Sequence, residues 1–110
     1  MIATPTLART SHGTVCRLAG TADLDLRFGE TGLRVSPPQL RRMCDTIERA
    51  RRRPDASRGW AFRAATERES VVFRLPGDDV QAFGDLLAAA VQALDLDALV
   101  LDSTAPRATA

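Results

Sequence analysis

At 110 residues, 45% hydrophobic and 26% charged, the chain suits one globular domain with a single core, burying roughly two-thirds of the surface its unfolded form exposes. No apolar run approaches the ~20 residues of a membrane-spanning helix. The opening MIATPTLARTSHG has neither the charged start nor the apolar stretch of an export signal, so a cytoplasmic protein with no membrane partner is expected. The net charge of +1 hides an uneven distribution. Residues 1–33 balance. Residues 34–68 carry ten Arg against Asp45, Glu48, Asp55 and Glu67, whereas residues 69–106 carry Arg74 against Glu69, Asp78, Asp79, Asp85, Asp95, Asp97 and Asp102. Every basic residue is Arg, the pattern of either a GC-rich coding sequence or selection for guanidinium forks.

In chain order, residues 1–12 lack periodicity and are expected to form a flexible arm. Thr14 to Ala19 predicts a short strand ended by Gly20. Leu24, Leu26 and Phe28 alternate with Asp25 and Arg27, the stretch from Gly29 to Gly32 turns the chain, and Leu33 and Val35 flank Arg34 on the return. Ser36, Pro37 and Gln39 then spell a helix start: a hydroxyl for an orphan amide, a proline where no N–H is needed, and the second half of a capping box. Leu40, Met43, Cys44, Ile47 and Ala50 form its apolar stripe, and Pro54 stops it after the run Arg51 to Arg53, whose charge suits the helix C-terminus.

The following segment has the same plan. Trp60, Phe62 and Ala64 alternate with Ala61 and Arg63, the stretch from Thr66 to Ser70 turns, and Val71, Phe73 and Leu75 return. A second helix is predicted from Asp78 to Leu94 with a stripe of Val80, Phe83, Leu87, Ala90, Val91 and Leu94. Asp95 to Leu101 fits either a last helical turn or an edge strand. A shift of 40 residues lays one strand-to-helix unit over the other, which predicts a tandem ββα repeat with units at about 22–53 and 59–95. The expected fold is α+β: a two-layer domain over 13–102, with an antiparallel sheet covered on one face by two helices. A disordered tail is expected at 103–110. The expected core holds Phe28, Leu33, Val35, Leu40, Ile47, Phe62, Phe73, Leu75, Phe83 and Leu87.

The run from Cys16 through Leu26, Arg27, Phe28 and Gly29 to Leu33, Arg34, Val35, Ser36 and Leu40 resembles a family of small bacterial proteins of uncharacterised function. Its members carry a cysteine pair, an L-x-F-G turn, a second short strand and a helix opening on Ser or Thr. The resemblance implies the strand, turn and capped helix of the first half, and no reaction. The chain departs from it where Arg17, Leu18 and Ala19 follow Cys16 without a second cysteine, and where Glu30 replaces the Asn that often follows the turn Gly. A metal role for the cysteine pair therefore does not carry over.

Candidate chemistry is sparse. His12, Cys16 and Cys44 are the available zinc ligand types; the competing expectation is a solvated histidine and two cysteines packed as small apolar residues. Asp23 with Asp25, and Asp95 with Asp97, alternate onto single faces, as solvated carboxylates or cation ligands would. Gly29 to Gly32 matches the GxxG string of some RNA-binding loops, but a hairpin turn accounts for both glycines. No Walker loop, dinucleotide fingerprint, nucleophile elbow or H-E-x-x-H is present. Arg41, Arg42, Arg49, Arg51, Arg52, Arg53 and Arg58 lie on or just past one helix, where they can track phosphates or pair along it, Arg41 with Asp45 and Asp45 with Arg49. These features point to a non-catalytic module that acts through a protein partner or a homodimer. In that dimer the basic helix of one copy would face the acidic helix of the other, and Trp60 and Val72 would supply apolar contact. The alternative is a nucleic-acid-binding module using the Arg-rich helix. No cofactor or small-molecule substrate is inferred.

Overall fold

In the computed structural model, which describes residues 6–55 and 58–104 with side chains through Leu96 in the last helix, the central hairpin forms as its alternation requires. Strand β3 (Leu24–Phe28) pairs antiparallel with β4 (Thr31–Val35) through a two-residue turn, with Leu26 opposite Leu33 and Leu24 opposite Val35. Gly29 takes the left-handed φ of +61° that the first turn position needs. Gly32, expected to share that duty, lies inside β4 instead.

Helix α1 (Pro37–Arg51) opens on the full capping box: Ser36 Oγ accepts from the Gln39 amide, and Gln39 Oε1 accepts from the Ser36 amide at 2.8 Å. Such a cap stabilises a helix by ~1 kcal/mol. Leu40, Met43, Cys44 and Ile47 form the buried stripe.

The chain extends this hairpin on the side that carries least sequence signal. Strand β1 (Thr6–Arg9) pairs with β2 (Gly13–Arg17), and β2 with β3, so one sheet runs in the order β1-β2-β3-β4. Thr6 to Arg9 therefore belong to a strand rather than to an arm. Residues 1–5 of the expected arm and 105–110 of the expected tail lie outside the described residues, and residues 103 and 104 end the last helix. The other hairpin, β5 (Trp60–Ala65) with β6 (Ser70–Leu75), forms its own two-stranded sheet, and β6 lies against β4 without joining its ladder. The expected single sheet is thus divided.

Helix α2 (Asp79–Thr104) runs past Leu94, so the segment from Asp95 to Leu101 is helical. It packs along α1, β1 and β2 and touches β6. The α+β class is as expected. The order β-β-α occurs twice, but one hairpin belongs to a four-stranded sheet and the other stands alone, and the helices have 15 and 26 residues. Element order alone therefore does not make the two units a repeat.

Both helices cover one face of the larger sheet. Ala8, Val15, Leu24, Leu26, Phe28, Leu33 and Val35 point inward to meet the buried stripes of α1 and α2, and no polar residue is buried among the described residues. Of the expected core only Phe62 is half-buried. Phe83 sits at the junction of the layers, with ring centroids 5.0 Å from Phe28, 5.0 Å from Phe73 and 6.1 Å from Phe62.

Candidate functional site

The proposed metal ligands are not brought together. His12 is exposed in the β1–β2 turn, its Nδ1 2.9 Å from Ser11 Oγ. Cys16 alternates with buried Val15 and stands opposite Asp25, so it lies on the outer face of the sheet; Cys44 is buried in α1 beneath the inner face. Among the described residues no group of three His, Cys, Asp or Glu side chains could hold a metal. The expectation that both cysteines fill the core is met only by Cys44. Burial, reinforced by the charges of Glu48 and Asp45, raises the Cys44 thiol above its ordinary pKa. The folded chain thus holds this proton more tightly than the unfolded chain does. The resulting stability is complete below the unfolded thiol's pKa and is lost as pH rises through the folded value. A native thiol assay at neutral pH should accordingly titrate one thiol, Cys16, with the second released only by denaturant. Two rapidly reacting thiols in the native chain would contradict the buried placement.

The candidate carboxylates are each held by an arginine. Asp23 pairs with Arg34 at 2.8 Å, Asp25 with Arg27 at 2.9 Å, and Asp95 with Arg41 at 2.7 Å; the Asp97 side chain lies outside those described. The hydrogen bond from Arg27 to Asp25, and the charge behind it, raise the Arg27 pKa further.

The arginine cluster divides by geometry. Arg51 reaches from α1 to α2, where Nη1 donates to Asp85 Oδ1 at 2.6 Å and to the Gln81 carbonyl at 3.0 Å, while Glu48 stands 2.9 Å from Nη2. Burial acts to lower its pKa, but the hydrogen bond to Asp85 and the charges of Glu48 and Asp85 outweigh that effect and hold it above the usual value. Gly84 makes the room: a Cβ there would lie 2.5 Å from Arg51 Cδ. Arg41 crosses to Asp95 rather than pairing with Asp45 along the helix. Arg53 pairs with Asp55 at 3.1 Å and lies 5.3 Å from the Trp60 ring; that hydrogen bond lowers the Asp55 pKa. Part of the positive and negative segments noted in the sequence is therefore consumed between α1 and α2 of one chain.

Arg42, Arg49, Arg52 and Arg58 make no ion pair among the described residues, and neither do Arg63, Arg68 and Arg74, which the sequence reading did not select. All seven are exposed. Strand pairing gathers two of the last three: Arg63 stands opposite Val72 and Arg74 opposite Ala61, so both project diagonally from the outer face of the β5–β6 ribbon. Alternation in each strand was the signal that could have found them. Val72, 38% exposed, shares this face, while Trp60 has the inward parity of Phe62 and Ala64 and is half-buried. These two residues do not form one apolar patch.

Two clefts border the ribbon. The larger, about 460 Å³, lies between its turn (Thr66, Glu67, Arg68, Glu69) and Asp23, Arg34, Val35, Ser36 and Gln39; it mixes charges, and its Asp23–Arg34 pair and helix cap are already satisfied. The smaller, about 160 Å³, lies between α1 and β5. Leu33, Val35, Met43, Phe62 and Ala64 supply apolar walls, Gln39, Arg42, Thr46, Arg63, Ala65 and Thr66 also line it, and among the described residues no acid does.

Nothing among known families, curated proteins or solved structures matches this chain. Its function must therefore be argued from these surfaces alone.

Proposed function

We propose that the chain is a non-catalytic protein-interaction module. The observation that supports this most directly is the sorting of its arginines. Those that tie α1 to α2 are consumed internally, whereas Arg42 and Arg63 are left exposed at the walls of a cleft with apolar groups and, among the described residues, no acid. Apolar contact flanked by unpaired guanidinium groups is the composition of a recognition surface, since arginine and apolar anchors carry much of the energy at protein interfaces. The same sorting weakens the helix-to-helix homodimer, because Asp85 and Asp95 are already engaged by Arg51 and Arg41. The resemblance to uncharacterised bacterial proteins, and a cytoplasmic setting, remain part of this reading.

The test places a photoreactive benzophenone residue in turn at Thr46, which lines the cleft and is exposed, and at Val72, on the ribbon face, in cells making the full chain. The expected result is a protein adduct of discrete mass at one or both positions. An adduct of twice the chain mass would identify self-association, and no protein adduct at either would end the interaction reading.

A second reading, nucleic-acid binding, is favoured by Arg42 and Arg49, which share one exposed stripe of α1 separated by Thr46. Phosphate contacts release counterions, so duplex affinity should fall steeply with salt. Because Arg51 and Arg53 serve the fold, the informative variant is Arg42→Ala, Arg49→Ala and Arg52→Ala together. It should flatten the salt slope by about 0.9 per lost phosphate contact. Absence of duplex binding at low salt would remove this reading.

A further inference from the structure

We propose that the cleft between α1 and β5 accepts an extended acidic peptide segment, which adds to β5 as a third strand; this rests on the interaction reading above. The backbone bonding pattern identifies the open edge. The Thr66 amide donates to the Glu69 carbonyl at 2.7 Å and closes the hairpin. With antiparallel alternation, Phe62 and Ala64 then bond to β6, while Ala61, Arg63 and Ala65 direct their N–H and C=O groups to the other side. Among the described residues no further strand pairs there, since β5 and β6 form a two-stranded sheet. Residues 62 to 66 all line the cleft and no β6 residue does, which places the cleft along that unpaired edge. An unpaired edge next to an apolar groove is the arrangement used in strand addition: main-chain bonds supply affinity and alternate side chains read the pockets.

Charge selects the occupant. Arg42 and Arg63 border the cleft, make no ion pair among the described residues, and face no acid within it. A second copy is the wrong occupant, because antiparallel pairing of β5 with itself about Arg63 sets like charges opposite each other. Residues 1–5, 56–57 and 105–110 contain no acid, so those parts of the chain do not supply one. A nucleic-acid backbone would neutralise the two arginines but would leave the alternating donors and acceptors of the edge unused. A peptide alternating acidic and β-branched residues satisfies the edge, sets its acids on the outer face beside Arg63 and lays its β-branched residues against the apolar wall of Phe62 and Ala64, with Arg42 left at the rim for a flanking acid.

The test uses the full chain and a fluorescent peptide of about ten residues alternating valine and glutamate. Its controls are a lysine-for-glutamate peptide, and a version N-methylated at the valines or at the glutamates, so that one of the two blocks the face that bonds to β5. Anisotropy should show binding of the acidic peptide, none of the lysine peptide, and a loss of about tenfold or more for one methylated form. Arg63→Glu should lower affinity for the acidic peptide and create affinity for the lysine peptide. Ala65→Pro removes an outward N–H without touching the ladder to β6, and should weaken binding about tenfold while leaving the circular dichroism spectrum unchanged. Should Ala65→Pro disturb the fold, the N-methylated pair decides alone. Binding that survives N-methylation at both sets of positions, or no binding at millimolar peptide, overturns strand addition. The benzophenone experiment separates that failure from failure of the broader reading: an adduct at Val72 but none at Thr46 overturns the groove and leaves the interaction module, whereas no adduct at either removes both.

Discussion

Replacing Phe83 with alanine should cost the domain ~3–5 kcal/mol, a large share of the ~5–15 kcal/mol that holds an ordinary domain folded. The size follows from position. Phe83 is 0% exposed, and it touches Phe28 of the larger sheet edge-on as well as Phe73 and Phe62 of the smaller one. These ring pairs each add roughly 0.5–1.5 kcal/mol beyond area burial. Because one side chain of α2 joins two sheets that share no hydrogen-bonded ladder, the cavity cannot close by a shift of one layer without separating it from the other. Phe62→Ala should cost less, since that ring is half-buried. Urea unfolding would check both: the Phe83→Ala midpoint should fall with the slope unchanged. A loss below about 1 kcal/mol would mean that Phe83 is not the joint between the layers.

The parts of this fold legible in the sequence are those where a local rule and the global packing agree. Leu24, Leu26 and Phe28 alternate because one face of β3 is buried, and the capping box from Ser36 to Gln39 marks α1 because its amides need partners at that point whatever surrounds them. Strand β1 was illegible for the opposite reason. It has four residues, and a register shift between Thr6 and Ala8 breaks the alternation, so only Ala8 is buried. Missing β1 and the role of β2 also hid Leu86, which is fully buried although it lies beside the stripe drawn through Phe83 and Leu87. A helix that packs on a second helix and on two further strands buries a wider arc than one stripe predicts.

For the candidate site, proximity in sequence misled. Arg41, Arg51 and Arg53 were grouped with Arg42 and Arg49 because they are neighbours along the chain, but a turn of about 100° per residue sends them to different partners: α2, Trp60 or solvent. Arg63 and Arg74 are eleven positions apart and become diagonal neighbours only when the ribbon pairs. The unpaired edge of β5 was beyond reach, since which strand ends a sheet depends on the whole topology.

Gly13→Ala gives the second large effect and tests the part of the fold that the sequence concealed. A Cβ at Gly13 would lie 2.4 Å from the Arg27 carbonyl oxygen, 2.9 Å from Leu86 Cδ2 and 3.1 Å from Phe28 Cδ1. The last two contacts involve side chains, but the first involves the backbone of β3, to which β2 is bonded residue for residue from Gly13 to Arg17. Relief requires the ladder itself to shift, and Leu86 with it, so α2 loses its seat on the sheet. Overpacking of this kind costs ~1–3 kcal/mol, and the backbone contact argues for the upper part of that range, even after the ~0.4–1 kcal/mol by which Gly→Ala stiffens the unfolded chain. Gly32→Ala is the internal control. It also lies within a strand, has no left-handed φ, and its nearest atom to a new Cβ is Arg27 Cγ at 3.5 Å, an ordinary contact. That variant should be neutral or slightly more stable, because only the unfolded-state term remains. Thermal melts followed by circular dichroism should therefore rank Gly32→Ala at or above the parent and Gly13→Ala several degrees below it. Equal melting temperatures for the two variants would mean that β2 does not pack between β3 and α2 as described, and the sheet order would have to be redrawn from β2 outward.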